Sequence, residues 1–196
     1  MSGGVDSSAA LALLTDTYDV IGATLQLCDA HNDVSDAVAV AEKFGIPHYV
    51  FDMRELFKEK VTDNFVQTYF EGGTPNPCIQ CNKFIKFGAL WEEAKKLGCE
   101  FFSTGHYARV GFDENTGRYL LMKATSPKDQ SYVLYNLPQE VLSHLVLPLG
   151  EMEKTQVREI ALKSGLVNAD KPDSQDICFV PDGDFFKMLL HLHARR

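Results

Sequence analysis

The residues of this 196-residue chain best suited to chemistry are its cysteines and a glycine- and serine-rich opening. Cys78 and Cys81 stand as Cys-x-x-Cys in the run TPNPCIQCN, and Cys178 lies far downstream in DSQDICF. An odd number of cysteines in a chain of this size argues against a disulfide-stapled secreted scaffold. In a reducing, cytoplasmic setting the spacing points to metal or redox chemistry. A helix start near Asn82, with Lys83 and Lys86 close by, would lower the thiol pKa values and favour the nucleophilic thiolate. Three thiolates could hold an iron–sulfur cluster with one open iron, or zinc with His106 as fourth ligand. Cys28 and Cys99 read as small buried hydrophobes beside strands.

The second constellation is Ser2, Gly3, Gly4, Val5, Asp6, Ser7 and Ser8, placed just before a helical run. Glycines let backbone N–H groups approach an anion, a helix N-terminus adds positive potential, and serine hydroxyls can donate to phosphate oxygens. Asp6 repels phosphate, so a Mg²⁺ ligand or an N-cap is its natural role. The run lacks the Gly-Lys-Ser/Thr ending of a Walker A loop, which disfavours a P-loop NTPase.

Helical and strand patterns alternate around these residues. Helices are expected over 6–14, 33–44, 54–70 and 82–97, and strands over 20–27, 48–52 and 100–104. In the 54–70 helix, Phe57, Val61, Phe65 and Tyr69 recur on one face. Pro75 and Pro77 predict an extended loop before Asn82. The alternation implies a parallel sheet flanked by helices. After Gly105 the rhythm changes to a hairpin, 107–110 with 119–123, and to shorter helices near 129–135, 139–145 and 154–164. Residues 171–184 read as a loop, and 185–190 as an amphipathic helix. These patterns divide the chain into an α/β nucleotide-binding part, 1–124, and a mostly helical part, 125–196.

Composition excludes other classes. The chain is 45% hydrophobic and 23% charged, which is not the profile of a disordered chain. No apolar run approaches the ~20 residues that span a bilayer, and the polar start does not resemble a secretory signal. A net charge of −8 argues against a general nucleic-acid coat and leaves room only for a local basic face, through Lys83, Lys86, Lys128, Arg109 and Arg118.

Taken together, SGGVDSS, TPNPCIQCNKFIKF, STGHYAR, KDQSYVLY, LPLGEMEKTQVREIA and DSQDICFV resemble, in this order, the tRNA-specific 2-thiouridylases. These belong to the PP-loop ATP pyrophosphatases, which split ATP between its α and β phosphates. The resemblance runs from Met1 to about Phe186 and implies a Rossmann-like fold. It also implies that the family's first strand is missing ahead of the loop, and its C-terminal β-rich domains beyond the thiol segment.

Carried over by position, Ser2 to Ser8, Leu25 and Gly105 would bind ATP. Asn76, Pro77 and Cys78 would meet the target base, and Lys128, Asp129 and Gln130 would contact tRNA. Cys81 would be the nucleophile, and Cys178 would carry a persulfide supplied by a cysteine desulfurase or persulfide carrier protein. The implied reaction is 2-thiolation of the wobble uridine in tRNAs for Lys, Glu and Gln, with ATP and Mg²⁺. Many family members have aspartate where this chain has Cys78, which is what admits an iron–sulfur cluster. Two other readings are a non-catalytic truncated paralogue that binds nucleotide, tRNA or a metal, and an amide-forming ligase of the same superfamily. The ligase has no use for the cysteines.

Overall fold

The computed structural model describes residues 1–28, 33–169, 171 and 177–180, and every structural statement below concerns these. Helix α1 (Val5–Leu14) follows directly from the glycine-rich opening and buries Val5, Ser8, Ala9, Ala10 and Leu11. Strand β1 (Gly22–Gln26), helix α2 (Ser35–Phe44) and strand β2 (His48–Asp52) form a parallel crossover unit, with Gly22 opposite His48 and Gln26 opposite Asp52. Gly45 ends α2 with φ +64°, a left-handed conformation that glycine adopts without a Cβ penalty.

The expected helix over 54–70 forms as α3 (Arg54–Phe57), a widened π-helical turn (Lys58–Thr62) and α4 (Asp63–Phe70). Phe57, Val61 and Phe65 face inward on it. The next helix differs from expectation. It starts five residues early, as α5 (Pro77–Gln80), a π-helical stretch (Cys81–Ala89) and α6 (Leu90–Lys96). The extended-loop expectation is corrected here because proline is well suited to the first helical position, where its missing N–H has no partner to lose. Asn76 supplies the N-cap, accepting from the Cys78 N–H at 3.1 Å. Both cysteines of the pair are therefore helical. The π-helical stretch also accounts for Gly88, where a Cβ would stand 2.9 Å from the Lys83 carbonyl oxygen.

Strand β3 (Phe102–Ser103) pairs in parallel with the short β6 (Leu145–Val146). The hairpin β4 (Ala108–Asp113) and β5 (Arg118–Lys123) is longer than read from sequence. Its turn is closed by the Asp113 carboxylate, which accepts from the Asn115 N–H at 3.0 Å and the Thr116 hydroxyl at 2.7 Å. No described ladder joins the two parallel pairs into one sheet. In place of the helix expected near 129–135 there is a single 3₁₀ turn (Ser131–Val133), followed by α7 (Gln139–Ser143) and α8 (Lys154–Lys163).

Helix α8 packs on α1. Val157 and Ala161 share one core with Val5, Ala9, Ala10 and Leu11, closed by Tyr107, Leu149 and Leu166. The C-terminal part of the chain thus covers the helix that begins at the glycine-rich loop. Most of the loop read over 171–184, and the helix read over 185–190, lie outside the described residues. No helix among the described residues is long and apolar enough to cross a membrane.

Candidate functional site

The opening residues make a tight loop. Gly3 has φ +69°, and Gly4 caps α1 with extended dihedrals. The Ser7 and Ser8 hydroxyls each donate to the Gly4 carbonyl at 3.0 Å, and the Ser2 and Ser7 hydroxyls lie 3.2 Å apart. Gly105 lies against this loop: a Cβ there would stand 2.7 Å from the Asp6 carbonyl carbon and 2.8 Å from the Ser7 nitrogen. Its role is therefore close backbone approach, which only glycine permits.

Asp6 is not the N-cap of α1. The cap is the Gly4 backbone, and the Asp6 carboxylate faces two ammonium groups. Lys154 Nζ is 2.6 Å from Oδ1 and Lys128 Nζ is 3.6 Å from Oδ2, while the Tyr107 hydroxyl donates to Oδ1 at 2.8 Å. No group of three or more His, Cys, Asp or Glu side chains among the described residues is placed to hold a metal ion.

Lys128, Asp129 and Gln130 all turn toward the protein. Lys128 also lies over the Tyr107 ring at 5.1 Å. Asp129 accepts from the Ala124 and Ser131 N–H groups and from the Ser131 hydroxyl, which hold its carboxyl below the usual range against the opposing effect of desolvation. The Gln130 side-chain oxygen accepts from the Tyr107 N–H at 3.0 Å. The motif thus shapes the turn that delivers Tyr107 and Lys128 to the glycine-rich loop.

The thiols gather at a second, apolar centre. Cys81 is buried with Phe57, Val61, Phe65, Ile85, Phe179 and Val180, and Leu25, Cys28 and Ile177 pack against this group. Leu25 therefore lies at the thiol cluster. Phe179 anchors its neighbour Cys178 there, with its ring edge-on to Phe57 at 5.5 Å and to Phe65 at 5.3 Å. Cys78 is exposed, and all five cysteines are thiols.

The low thiol pKa expected of Cys81 is overturned. Burial pushes Cys81 upward, and the Lys86 ammonium only partly opposes it. Cys178 is exposed as a residue, like Cys78, yet desolvation at its sulfur, then the nearby thiols of Cys81, Cys28 and Cys78, push it up to about 12. A helix start cannot favour a thiolate that the apolar surroundings penalise more.

His106 follows Gly105, and its Nδ1 lies 2.7 Å from the Thr104 hydroxyl. Burial, then the Lys86 charge, lower its pKa to about 3, so the ring is neutral. Phe87 of the cysteine helix packs on His106 with 6.0 Å between ring centroids, which ties that helix to the residue beside Gly105.

Two contributors escaped sequence reasoning. Lys154 carried no signal beyond its place at a helix start. Asn168 is fully buried, and its side-chain amide donates to the Gly3 carbonyl at 2.7 Å and the Ser8 hydroxyl at 2.8 Å. A lone Asn after a helix carries no mark of a contact made with residues near the other end of the chain.

The profile of the family described as the tRNA methyl transferase HUP domain matches residues 1–182. Among curated proteins, the chain is 53% identical over 199 residues to a tRNA-specific 2-thiouridylase MnmA of Clostridioides difficile (strain 630), covering 94% of this chain and 55% of that protein. It is 51% identical over 205 residues to the protein of that name from Carboxydothermus hydrogenoformans, covering 96% and 56%. The figure is 48% over 208 residues for the one from Symbiobacterium thermophilum, covering 96% and 53%. The chain spans about half the length of these relatives. With two thirds or more of its residues under one family profile and a nucleotide-type α/β fold around the glycine-rich loop, the chain belongs to the tRNA methyl transferase HUP domain family.

Proposed function

We propose that the chain carries the nucleotide and thiol machinery of an ATP-dependent tRNA 2-thiouridylase. The observation that supports this most is that the cysteine-bearing helix adjoins the glycine-rich loop. Phe87 of that helix packs on His106 with 6.0 Å between ring centroids, and the neighbouring Gly105 lies against the Asp6–Ser7 backbone of the loop. The names of the curated relatives point to thiolation rather than methylation.

The chemistry runs in two halves. Uridine O2 attacks the ATP α-phosphorus and pyrophosphate leaves, because the uracil oxygen is a poor leaving group until AMP is attached. A persulfide on Cys178 then supplies sulfur. The Cys81 thiolate attacks the inner sulfur of that persulfide, the S–S bond breaks, and hydrosulfide is released beside the activated C2 as the Cys81–Cys178 disulfide forms. Hydrosulfide adds to C2 and AMP leaves. An external thiol reductant restores the pair. The raised thiol pKa values keep both cysteines protonated at rest, so Cys81 becomes reactive when substrate alters its surroundings.

The site residues take these roles. Ser2, Gly3, Gly4, Val5, Asp6, Ser7 and Ser8 cradle the phosphates, Gly105 gives the loop its close support, and Leu25 would meet the nucleoside from its place against the thiol cluster. Asn76, Pro77 and the exposed Cys78 face the target base. Lys128, Asp129 and Gln130 serve tRNA through the turn they shape. Magnesium would come with the phosphates of ATP, since Asp6, already engaged by two ammoniums, offers it no ready ligand. The thiols fit a persulfide relay better than an iron–sulfur cluster, because no described ligand set of three is gathered. The sulfur comes from a desulfurase or a persulfide carrier.

The test is thiolation of tRNA with ATP and a persulfide donor, read by retardation in mercury-containing gels. Cys81→Ser and Cys178→Ser are each expected to abolish it while leaving tRNA-dependent pyrophosphate release within a few fold. Undiminished thiolation by both variants overturns the relay.

A further inference from the structure

We propose that Cys28 is the resolving thiol of the sulfur-transfer pair, taking the disulfide over from Cys81 so that a reductant meets it at a half-buried position. This rests on the reading of Cys81 and Cys178 as that pair. Cys28 stands two residues beyond β1 (Gly22–Gln26), at the carboxyl end of a parallel strand, where α/β sheets present their ligand-binding residues. With Leu25 and Leu27 it packs against the apolar group that holds Cys81. Ile177 and Phe179, the residues on either side of Cys178, belong to the same group. Phe179 is pinned there edge-on to both Phe57 and Phe65. Thiols from three distant segments of the chain therefore meet on one apolar group. Among the thiols that act on Cys178, Cys28 comes second, after Cys81 and ahead of Cys78, which agrees with this placement.

Sulfur transfer leaves Cys81 joined to Cys178. Cys81 is only 8% exposed, so an external thiol has little access to its sulfur. Cys28 is half-buried and Cys178 is exposed as a residue, so a bond between these two is the more accessible one. The Cys28 thiol gives up its proton and the thiolate attacks Sγ of Cys178, the partner that keeps surface. The Cys81–Cys178 bond breaks, its electron pair goes to Sγ of Cys81, and Cys81 takes up a proton. One disulfide replaces another, with no net oxidation. Two external thiols then reduce the Cys28–Cys178 bond and leave joined to each other. Cys81 is thereby restored without a reductant entering its apolar surroundings.

The test maps disulfides and then follows turnover. Reduced wild type, Cys28→Ser and Cys81→Ser are oxidised with one equivalent of diamide and quenched in acid, and linked peptides are read by mass spectrometry. Wild type is expected to yield both Cys81–Cys178 and Cys28–Cys178. Cys81→Ser is expected to yield Cys28–Cys178, and Cys28→Ser only Cys81–Cys178. With ATP, tRNA and a persulfide donor, Cys28→Ser is expected to keep its first turnover within about twofold. At about 0.1 mM glutathione its steady-state rate is expected to fall about tenfold, because the chain otherwise supplies its own thiol at millimolar effective concentration. Raising glutathione about a hundredfold is expected to restore it, which no merely structural role of Cys28 would produce. If Cys28→Ser melts well below the wild type, Cys28→Ala is read in the same way. Absence of the Cys28–Cys178 peptide from both wild type and Cys81→Ser overturns the proposal. So does Cys78 in place of Cys28 as the second partner of Cys178, or an unslowed steady state in the Cys28 variants. Wild type that forms the Cys28–Cys178 link but thiolates no tRNA sinks the thiolation reading alone, and the thiol exchange stands.

Discussion

His106 makes the stability of this fold depend on pH, and between pH 7 and pH 5 it does so above the range where most carboxylates titrate. The native ring titrates at about 3 because burial and the Lys86 charge oppose its protonation. In the unfolded chain a histidine titrates near 6.5. Between those values the unfolded state holds the extra proton, so stability falls as pH falls through the window. At pH 5 the difference in proton affinity corresponds to ~2 kcal/mol, and the residue's remaining surface brings this to about 1–2 kcal/mol. His106→Gln keeps a polar side chain and removes the titration.

The assay is urea unfolding at pH 7 and pH 5, followed through Trp91, the sole tryptophan, which is buried and sits 5.4 Å from the His144 ring. His48, also lowered by burial, contributes to both proteins with the same sign and cancels in the comparison. The wild type is expected to lose about 1–2 kcal/mol more than His106→Gln on acidification. Equal losses in the two proteins refute the argument that His106 is held neutral by its surroundings.

The remaining predictions concern the loop and the thiols. Gly105→Ala drives a methyl group into the Asp6–Ser7 backbone and is expected to cost about 1–3 kcal/mol in unfolding and to weaken ATP binding, measured on the same samples. Iodoacetamide at pH 7 is expected to leave Cys81 and Cys178 largely unmodified in peptide mass spectra, with modification rising about tenfold per pH unit above that, because both thiol pKa values are raised. Rapid alkylation of Cys178 at neutral pH would contradict the burial that raises it.

The elements that position the site were legible where one local rule governed them. Strand 48–52 falls where the Tyr49-Val50-Phe51 run places it, and α2 ends where Gly45 dictates. The start of the cysteine helix was misplaced because Pro77 obeys two rules, as helix breaker in an interior and as helix starter at the first position. Only the cap by Asn76 decides between them. The motifs predicted which residues matter, yet not what they touch. Lys128 and Asp6 were both named without any sign that they meet, and Lys154 was not named at all. Such pairings depend on how α8 lies across α1, which no local spacing encodes. The thiol pKa values failed for a related reason. Neighbouring lysines are visible in sequence, whereas the phenylalanines that desolvate the sulfur come from distant segments.

The buried amide of Asn168 constrains how the glycine-rich loop and the Cys178 segment can vary. It holds Gly3 and Ser8 from the stretch that leads into the Cys178 segment, and Lys171 in that stretch also pairs with Asp36, whose Cβ borders Gly3. The glycine-rich loop and the chain just ahead of the Cys178 segment therefore share one joint. Changes on either side of that joint should be non-additive in double-mutant cycles, and grafting the Cys178 segment onto another scaffold would take the anchorage of the glycine-rich loop with it.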